Sequence, residues 1–146
     1  FALRGDIWES DEYGSFRFRG DATKYLTYET ESQFGSGILG DAVDTLGFPE
    51  WRTNALVSWT MGNWAANIST SYIGESESGS GEVQWDSWKE HNLNVSYDFS
   101  EYGELTVGAN NLTNEDPLLD ASGSQADEYQ YTILGRVVYV DYTIEL

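Results

Sequence analysis

Carboxylate side chains crowd two polar stretches of the 146-residue chain, at 74–86 and 114–131, and carboxylate oxygens are ligands that calcium prefers. The acids in these stretches are Glu75, Glu77, Glu82, Asp86, Glu115, Asp116, Asp120, Asp127 and Glu128. Their spacing does not follow the D-x-[DN]-x-[DN]-G order of a calcium-binding loop. We therefore interpret them as a solvated surface of like charges, and we predict no metal site and no cofactor.

Aromatic and basic side chains are the candidates for substrate binding. Rings in or beside the polar stretches could stack on a sugar or an aromatic chelator, although anchoring at a membrane headgroup level is the favoured interpretation. These rings are Trp85, Trp88, Tyr129 and Tyr131. The guanidinium groups of Arg17, Arg19 and Arg52 could contact an anionic substrate or a plug domain. Ion pairs with acids such as Asp21 or Glu90 are favoured for them.

The sequence lacks the signatures of common catalytic sites. His91 is the only histidine and there is no cysteine, so thiol catalysis and cysteine–zinc sites have no residues to use. No nucleophile elbow, P-loop, dinucleotide fingerprint or H-E-x-x-H motif occurs. A carboxylate pair for glycoside hydrolysis stays open, since no pair stands out among the 25 acids. We predict that the chain is not an enzyme.

The net charge of −18 argues against nucleic acid as a partner, because binding a phosphate backbone requires lysine and arginine. The acids are compatible with a membrane-spanning role if they lie in loops or in a water-filled interior. No apolar run reaches the length of about 18 residues that a membrane helix needs.

Period-two alternation of apolar and polar side chains dominates the chain and predicts strands. We predict a partial strand near 3–8 and six full strands at about 16–28, 51–61, 64–72, 92–99, 105–110 and 134–146. Short turns at 10–14, 61–63 and 98–103 alternate with long polar connections at 30–50, 74–86 and 114–131. This sorting of connections is typical of an antiparallel transmembrane β-barrel, an all-β fold.

Aromatic residues mark the ends of the predicted apolar face, as expected at the two headgroup levels of a membrane. They are Trp51, Trp59, Trp64, Tyr72, Tyr97, Phe99 and Tyr142. In lipid each unpaired backbone N–H or C=O costs several kcal/mol, so such a sheet has to close. Bacterial single-chain barrels have an even number of strands. We therefore expect either one further strand here or the rest of the barrel on sequence outside this chain.

Three segments resemble TonB-dependent outer-membrane receptors. Residues 108–117 (GANNLTNEDP) are similar to the penultimate-strand motif of that family, and residues 135–146 (GRVVYVDYTIEL) to its last strand. Residues 48–52 (FPEWR) are similar to the start of an earlier strand. The motif positions are Asn110, Asn111, Leu112, Pro117, Gly135 and Arg136. The last residue of the family is usually aromatic and is Leu146 here.

The resemblance implies that residues 1–146 are the C-terminal part of a larger receptor barrel of about 22 strands, with the plug domain and the earlier strands absent. It implies a place in the bacterial outer membrane and import of a bulky, scarce nutrient with energy from the TonB complex. Siderophores, cobalamin and oligosaccharides are the usual substrates. The implied partners are the remaining barrel and plug, the TonB complex, lipids, and lipopolysaccharide near Arg136.

Two other functions stay open on the sequence. The chain could be a self-contained outer-membrane barrel of about eight strands. It could also be a secreted, acidic, carbohydrate-binding β-sandwich, in which the apolar face would be buried against a second sheet.

Overall fold

The computed structural model describes residues 2–31, 33–45, 48–77, 83–119 and 131–144. Its strands are β1 (Ala2–Ser10), β2 (Gly14–Lys24), β3 (Glu29–Glu31), β4 (Leu39–Asp41), β5 (Trp51–Met61), β6 (Trp64–Ile73), β7 (Ser76–Glu77), β8 (Gln84–Trp85), β9 (Trp88–Asp98), β10 (Glu104–Asn110) and β11 (Val137–Thr143). A 3-10 turn at Ser100–Tyr102 precedes β10. Within these ranges no helix has the length and apolar character needed to cross a membrane.

Seven strands form one antiparallel sheet in the order β1-β2-β5-β6-β9-β10-β11. Each pairs with the next long strand along the chain, so the sheet is a meander. The pairs β3–β4 and β7–β8 form small two-stranded sheets inside two of the long connections. The predicted all-β, antiparallel fold is confirmed. The large sheet is open, with β1 and β11 at its edges.

Several predicted strand ends are wrong, including the start of β9, which is Trp88 rather than 92. β2 ends at Lys24 rather than 28, because the chain then turns toward β3 and the carbonyl of Tyr28 accepts from the N–H of Ala42. β9 ends before Phe99, whose N–H bonds to Gly103 across the 3-10 turn. Residues 134–136 lie outside β11, because side chains of the preceding connection bind their backbone groups.

One face of the sheet is apolar and the other is mainly polar, as the alternation predicts. A row of directly opposed residues crosses six strands on the apolar face: Phe18, Val57, Ile68, Leu93, Ala109 and Val138. The adjacent row on the other face is Arg17, Ser58, Asn67, Asn94, Gly108 and Tyr139. Because a one-residue slip would exchange the faces, this agreement fixes the register.

No other described residues form a second layer over the apolar face. Its side chains stay accessible, with Ile68 exposed by 42%, Val138 by 67% and Val140 by 68%. The buried apolar cluster is instead formed by Ile73, Trp88 and Tyr131 beside the long connections. Ile73 and Trp88 alternate with the apolar row, so this cluster lies on the polar side of the sheet.

The three long connections, at 25–50, 74–87 and 111–136, leave the same end of the sheet, and the short turns lie at the other. The carbonyl of Asp44 accepts from the N–H of Glu77 at 2.6 Å, which joins the first connection to the second. The Trp85 indole donates to the carbonyl of Leu119 at 2.5 Å, which joins the second to the third. We call the described parts of these connections the loop layer.

Candidate functional site

A cavity of about 200 Å³ lies on the polar face at the loop-layer end of the sheet. Its lining residues are Arg52, Asn54, Ser71, Tyr72, Ile73, Trp88, Glu90 and Thr132. We call it the Glu90 cavity. It is smaller than the pockets of about 300–1,000 Å³ that hold drug-sized ligands, so it has room for one small ring or headgroup.

The strand register brings the lining side chains together. Asn54 on β5 lies opposite Ser71 on β6, which lies opposite Glu90 on β9. The next row outward holds Arg52, Ile73 and Trp88, and Thr132 from the third connection completes the lining. Polar groups therefore meet an apolar wall made by the isoleucine and the tryptophan.

Glu90 is the buried charged residue of this cavity, with only 8% of its surface exposed. Its Oε1 accepts a hydrogen bond from the amide of Asn92 at 3.0 Å. Its Oε2 has no hydrogen-bond partner in the described part of the chain. A buried carboxylate oxygen without a donor is costly, so this atom destabilises the described part of the fold.

Asn92 links the cavity to a second buried group, Asn111. Its Oδ1 accepts from the backbone N–H of Asn111 at 2.8 Å. The Asn111 side chain is fully buried, and its amide donates to the carbonyls of Glu115 at 2.8 Å and Leu134 at 3.3 Å. Its Oδ1 accepts from the N–H of Glu115 at 2.7 Å. One side chain thus ties together both ends of the third connection.

The segments that carry the receptor-like motif converge here, in what we call the Asn111 joint (Asn111, Leu112, Asn114, Gly135 and Arg136). The Asn114 Oδ1 accepts from the N–H of Arg136 at 2.9 Å, and the Arg136 guanidinium donates to the carbonyl of Leu112 at 3.4 Å. A Cβ added at Gly135 would lie 3.0 Å from the same Asn114 oxygen. These motif positions therefore form a structural contact between strand ends.

The other two motif positions lie outside the joint. Asn110 is the exposed last residue of β10, and Pro117 is half-buried further along the third connection.

The predicted stacking rings are covered by protein. Trp85 is 8% exposed, Trp88 2% and Tyr131 4%. The Trp88 indole donates to the carbonyl of Asp116 at 3.1 Å, and its ring meets that of Tyr131 edge-on at 5.4 Å. Their burial fixes the loop layer, and Trp88 is also one of the residues that line the cavity. Tyr129 lies outside the described residues.

The three candidate arginines separate in the structure. Arg52 is half-buried and lines the Glu90 cavity. Arg17 and Arg19 are exposed on the polar face of β2, nearer the short turns. Of the acids suggested as their partners, Asp21 accepts from the Asn54 amide at 3.1 Å and Glu90 from Asn92.

Aromatic rings gather at the short-turn end of the apolar face. Trp64 meets Tyr97 edge-on at 4.7 Å, and Tyr97 meets Phe99 in the same way at 4.7 Å. The Trp59 indole donates to the carbonyl of Tyr13 at 2.7 Å, and the Tyr142 hydroxyl donates to the carbonyl of Tyr102. Polar ring atoms thus point to the turns while the ring bodies extend the apolar face.

Two predicted aromatics lie at the loop-layer end of the same face, each with a lysine. The Lys24 ammonium lies 5.1 Å from the centre of the Trp51 ring, and the Lys89 ammonium 5.8 Å from that of Tyr72. Lys24 also pairs with Glu50 at 2.7 Å. The apolar face is therefore bounded by aromatic residues at both ends, with cations at one.

Sequence reasoning missed several members of the turn-end group. Trp8 lies opposite Phe16, and its ring stacks on Tyr13 at 5.9 Å. Tyr102 lies in the 3-10 turn and is exposed. The alternation of β1 contained the signal for Trp8, but the strand was counted as partial. Glu90 was named only as a partner for the arginines, and its burial could not be predicted because it depends on cross-strand neighbours.

The acidic residues do not assemble into a metal site in the described part of the chain. Glu75, Glu77 and Asp86 join Asp44 around a cavity of about 300 Å³ in the loop layer. Glu115 and Asp116 are exposed. Glu82, Asp120, Asp127 and Glu128 lie outside the described residues.

Asp41 holds the β3–β4 hairpin closed, and it yields a first prediction. Backbone N–H groups of Tyr28 and Val43, both at 3.0 Å, lower the pKa of its carboxyl from the ordinary value of 3.8. Because the pKa of Asp41 is lower in the folded chain, the stability that its carboxylate contributes is complete above pH 3.8. That stability is lost as the pH falls through the folded pKa. Carbon-13 NMR should give a titration midpoint below 3.8. Asp41→Ala should speed amide exchange at Tyr28 and Val43, whereas unchanged exchange would contradict this role.

Comparison with known proteins gave no match: no protein-family model, no curated protein and no solved structure corresponds to this chain.

Proposed function

We propose that this chain is one wall of a larger β-barrel in the bacterial outer membrane, as the C-terminal part of a TonB-dependent receptor. The observation that carries the proposal is the uncovered apolar face, which continues in register from β2 to β11 and is bounded by aromatic residues at both ends. An exposed apolar surface of this extent marks an interface with lipid or protein.

Strand dimensions support a lipid-facing role. β1, β2, β5, β6 and β9 contain 9 to 11 residues. A tilted strand of about 9–11 residues crosses the hydrocarbon core of a bilayer. Small polar side chains on the other face suit a water-filled barrel interior, and the loop layer suits the extracellular side.

The open edges support a barrel larger than this sheet. In lipid the free backbone groups of β1 and β11 would each need a partner strand. Further strands of the receptor would supply these partners. The open sheet disfavours a self-contained barrel, and the exposed apolar face disfavours a sandwich, in which that face would be buried.

By this proposal the parent receptor imports a bulky, scarce nutrient, such as a siderophore, cobalamin or an oligosaccharide. The polar face and the loop layer would line its route, while the plug and the TonB complex would supply gating and energy. The chain would perform no catalysis.

Single nitroxide labels test the orientation of the wall, since the chain has no cysteine and each introduced cysteine is unique. Labels at Val57 and Val95, on the apolar face, should be reached by oxygen in the bilayer and protected from a water-soluble nickel chelate. Labels at their neighbours Ser58 and Ser96 should show the reverse pattern. The proposal would be wrong if the chelate reached all four labels equally and the protein stayed in solution without lipid.

A further inference from the structure

We propose that the loop-layer end of the apolar face binds the phosphate group of an anionic membrane lipid through two lysine–aromatic pairs. The pairs are Lys24 with Trp51 and Lys89 with Tyr72, and we call these four residues the lysine rim. The inference rests on the proposed function, because it needs the apolar face to lie in a bilayer. It goes further by naming the kind of lipid that this face selects.

Strand register places both lysines on the apolar face, at the depth of the headgroups. Lys24 lies directly opposite Trp51 on the neighbouring strand, and Lys89 lies directly opposite Tyr72. Lys24 is the last residue of β2, and Lys89 is the second residue of β9. Strands of this length just cross the hydrocarbon core, so their end residues reach its boundary. There a lysine can keep its stem on apolar surface and its ammonium among the headgroups.

Each ammonium lies against a ring and keeps donors for a further partner. The distances to the ring centres are 5.1 Å for Lys24 and 5.8 Å for Lys89. Lys24 also pairs with Glu50 at 2.7 Å, whereas Lys89 is exposed and pairs with no carboxylate in the described part of the chain. An ammonium has three N–H donors, and those that remain can make charge-assisted bonds to phosphate oxygens.

The distribution of charge favours an anionic lipid at this end of the face. Both lysines of the chain lie in the rim, and the exposed Arg136 lies at the same end, just before β11. The short turns at the other end, 11–13, 62–63 and 99–103, contain acidic residues and no basic one. In a chain of net charge −18, cations gathered at one place indicate a partner of opposite charge there. A zwitterionic headgroup fits less well, because its own cation offsets its phosphate.

A second copy of the chain fits the rim less well than a lipid does. Two copies in one bilayer have the same orientation, so packing their apolar faces together would bring the two rims to the same level. The lysines of one copy would then meet those of the other, and like charges at short range repel.

The experiment measures lipid binding to the receptor as purified from its membrane and delipidated in a non-ionic detergent. Native mass spectrometry gives the Kd of the first lipid bound, with dioleoyl phosphatidic acid and dioleoyl phosphatidylcholine titrated separately. The two lipids share their acyl chains, so the ratio of their Kd values isolates the headgroup. Phosphatidic acid should bind at least about fivefold more tightly, which is the gain from one basic residue beside an anionic headgroup.

Lys89→Gln should weaken binding of phosphatidic acid by about fivefold and leave that of phosphatidylcholine unchanged. Lys89→Arg keeps the positive charge and should bind phosphatidic acid as the unaltered receptor does. Arg19→Gln is the matched control, because it removes one positive charge from an exposed residue on the polar face of β2. If Lys89→Gln fails to fold, Lys24→Gln serves instead, and it should weaken binding of phosphatidic acid as well.

Equal Kd values for the two lipids, or equal effects of the Lys89→Gln and Arg19→Gln variants, would overturn the proposal. So would a receptor dimer that depends on Lys89, because its mass would assign the rim to a second copy. Displacement of the lipid by inorganic phosphate at a similar concentration would assign the rim to a soluble anion instead. The nitroxide pattern across the sheet does not depend on headgroup charge, so it separates failure of this inference from failure of the barrel proposal.

Discussion

Replacing Ile68 by lysine should lower the free energy of unfolding in a bilayer by about 2–4 kcal/mol, the cost of a lysine on the lipid face of a barrel at mid-depth. Ile68 lies in the middle of β6, between Val57 and Leu93 in the apolar row, and is 42% exposed in the sheet alone. In water a lysine at an exposed strand position would cost little. The large loss is therefore expected only if lipid covers this face.

Ser69→Lys is the matched control. Ser69 is the next residue of β6, at nearly the same depth, but it lies on the polar face opposite Leu56 and Asn92. In the proposed barrel its ammonium would enter a water-filled interior, and it should change stability by less than about 0.5 kcal/mol, as substitutions on a wet surface usually do. Urea unfolding in lipid vesicles, followed by tryptophan fluorescence, measures both variants. Equal effects of the two lysines would contradict a lipid-facing wall.

The long strands could be predicted because their pattern and their turns agree. β5 and β6 were predicted at 51–61 and 64–72, and the structure places them at Trp51–Met61 and Trp64–Ile73. Gly62, at φ 56°, allows the tight turn that joins them. With that turn fixed, period-two alternation decides which side chains share a face, because a shift by one residue would move every apolar side chain to the other side.

The short strands were not predicted, because alternation needs several residues to be visible. β3 and β4 have three residues each, and β7 and β8 have two. Their formation depends on local hydrogen bonds such as those of Asp41 to Tyr28 and Val43. Sequence periodicity contains no information on such contacts.

The candidate site was predicted only in part. Arg52 and Trp88 were chosen for their residue types and do line the Glu90 cavity, but their neighbours are fixed by register across three strands. Trp85, Trp88 and Tyr131 were expected at a surface, and the packing of the third long connection on the two tryptophans buries all three. A contact with an irregular segment leaves no periodic signal in the sequence.

Asn111→Ala should destabilise the folded chain by about 3–5 kcal/mol, an exceptionally large loss for one substitution. Two effects combine. The N–H of Glu115 loses its acceptor, and the carbonyls of Glu115 and Leu134 lose the donor that the buried Asn111 side chain supplies. Alanine must also adopt the left-handed backbone of this position, at φ 50°, which costs roughly 1–2 kcal/mol for a residue with a Cβ.

Asn111→Gly separates the two effects, because glycine accepts the positive φ but makes none of the side-chain hydrogen bonds. The glycine variant should therefore lose less stability than the alanine variant, and the difference should equal the backbone cost alone. Asn110→Ala is the control one residue earlier, where the side chain is exposed at the end of β10, and it should change stability by less than about 0.5 kcal/mol. Urea unfolding midpoints in vesicles measure all three variants. Equal losses of stability for the Asn110 and Asn111 variants would show that the joint does not hold the third connection. The contacts of the motif residues would then not explain why those residues occur together. If the order is alanine, then glycine, then the Asn110 control, the Asn111 side chain holds in place a backbone whose N–H binds Asn92, and Asn92 in turn donates to Glu90 in the cavity.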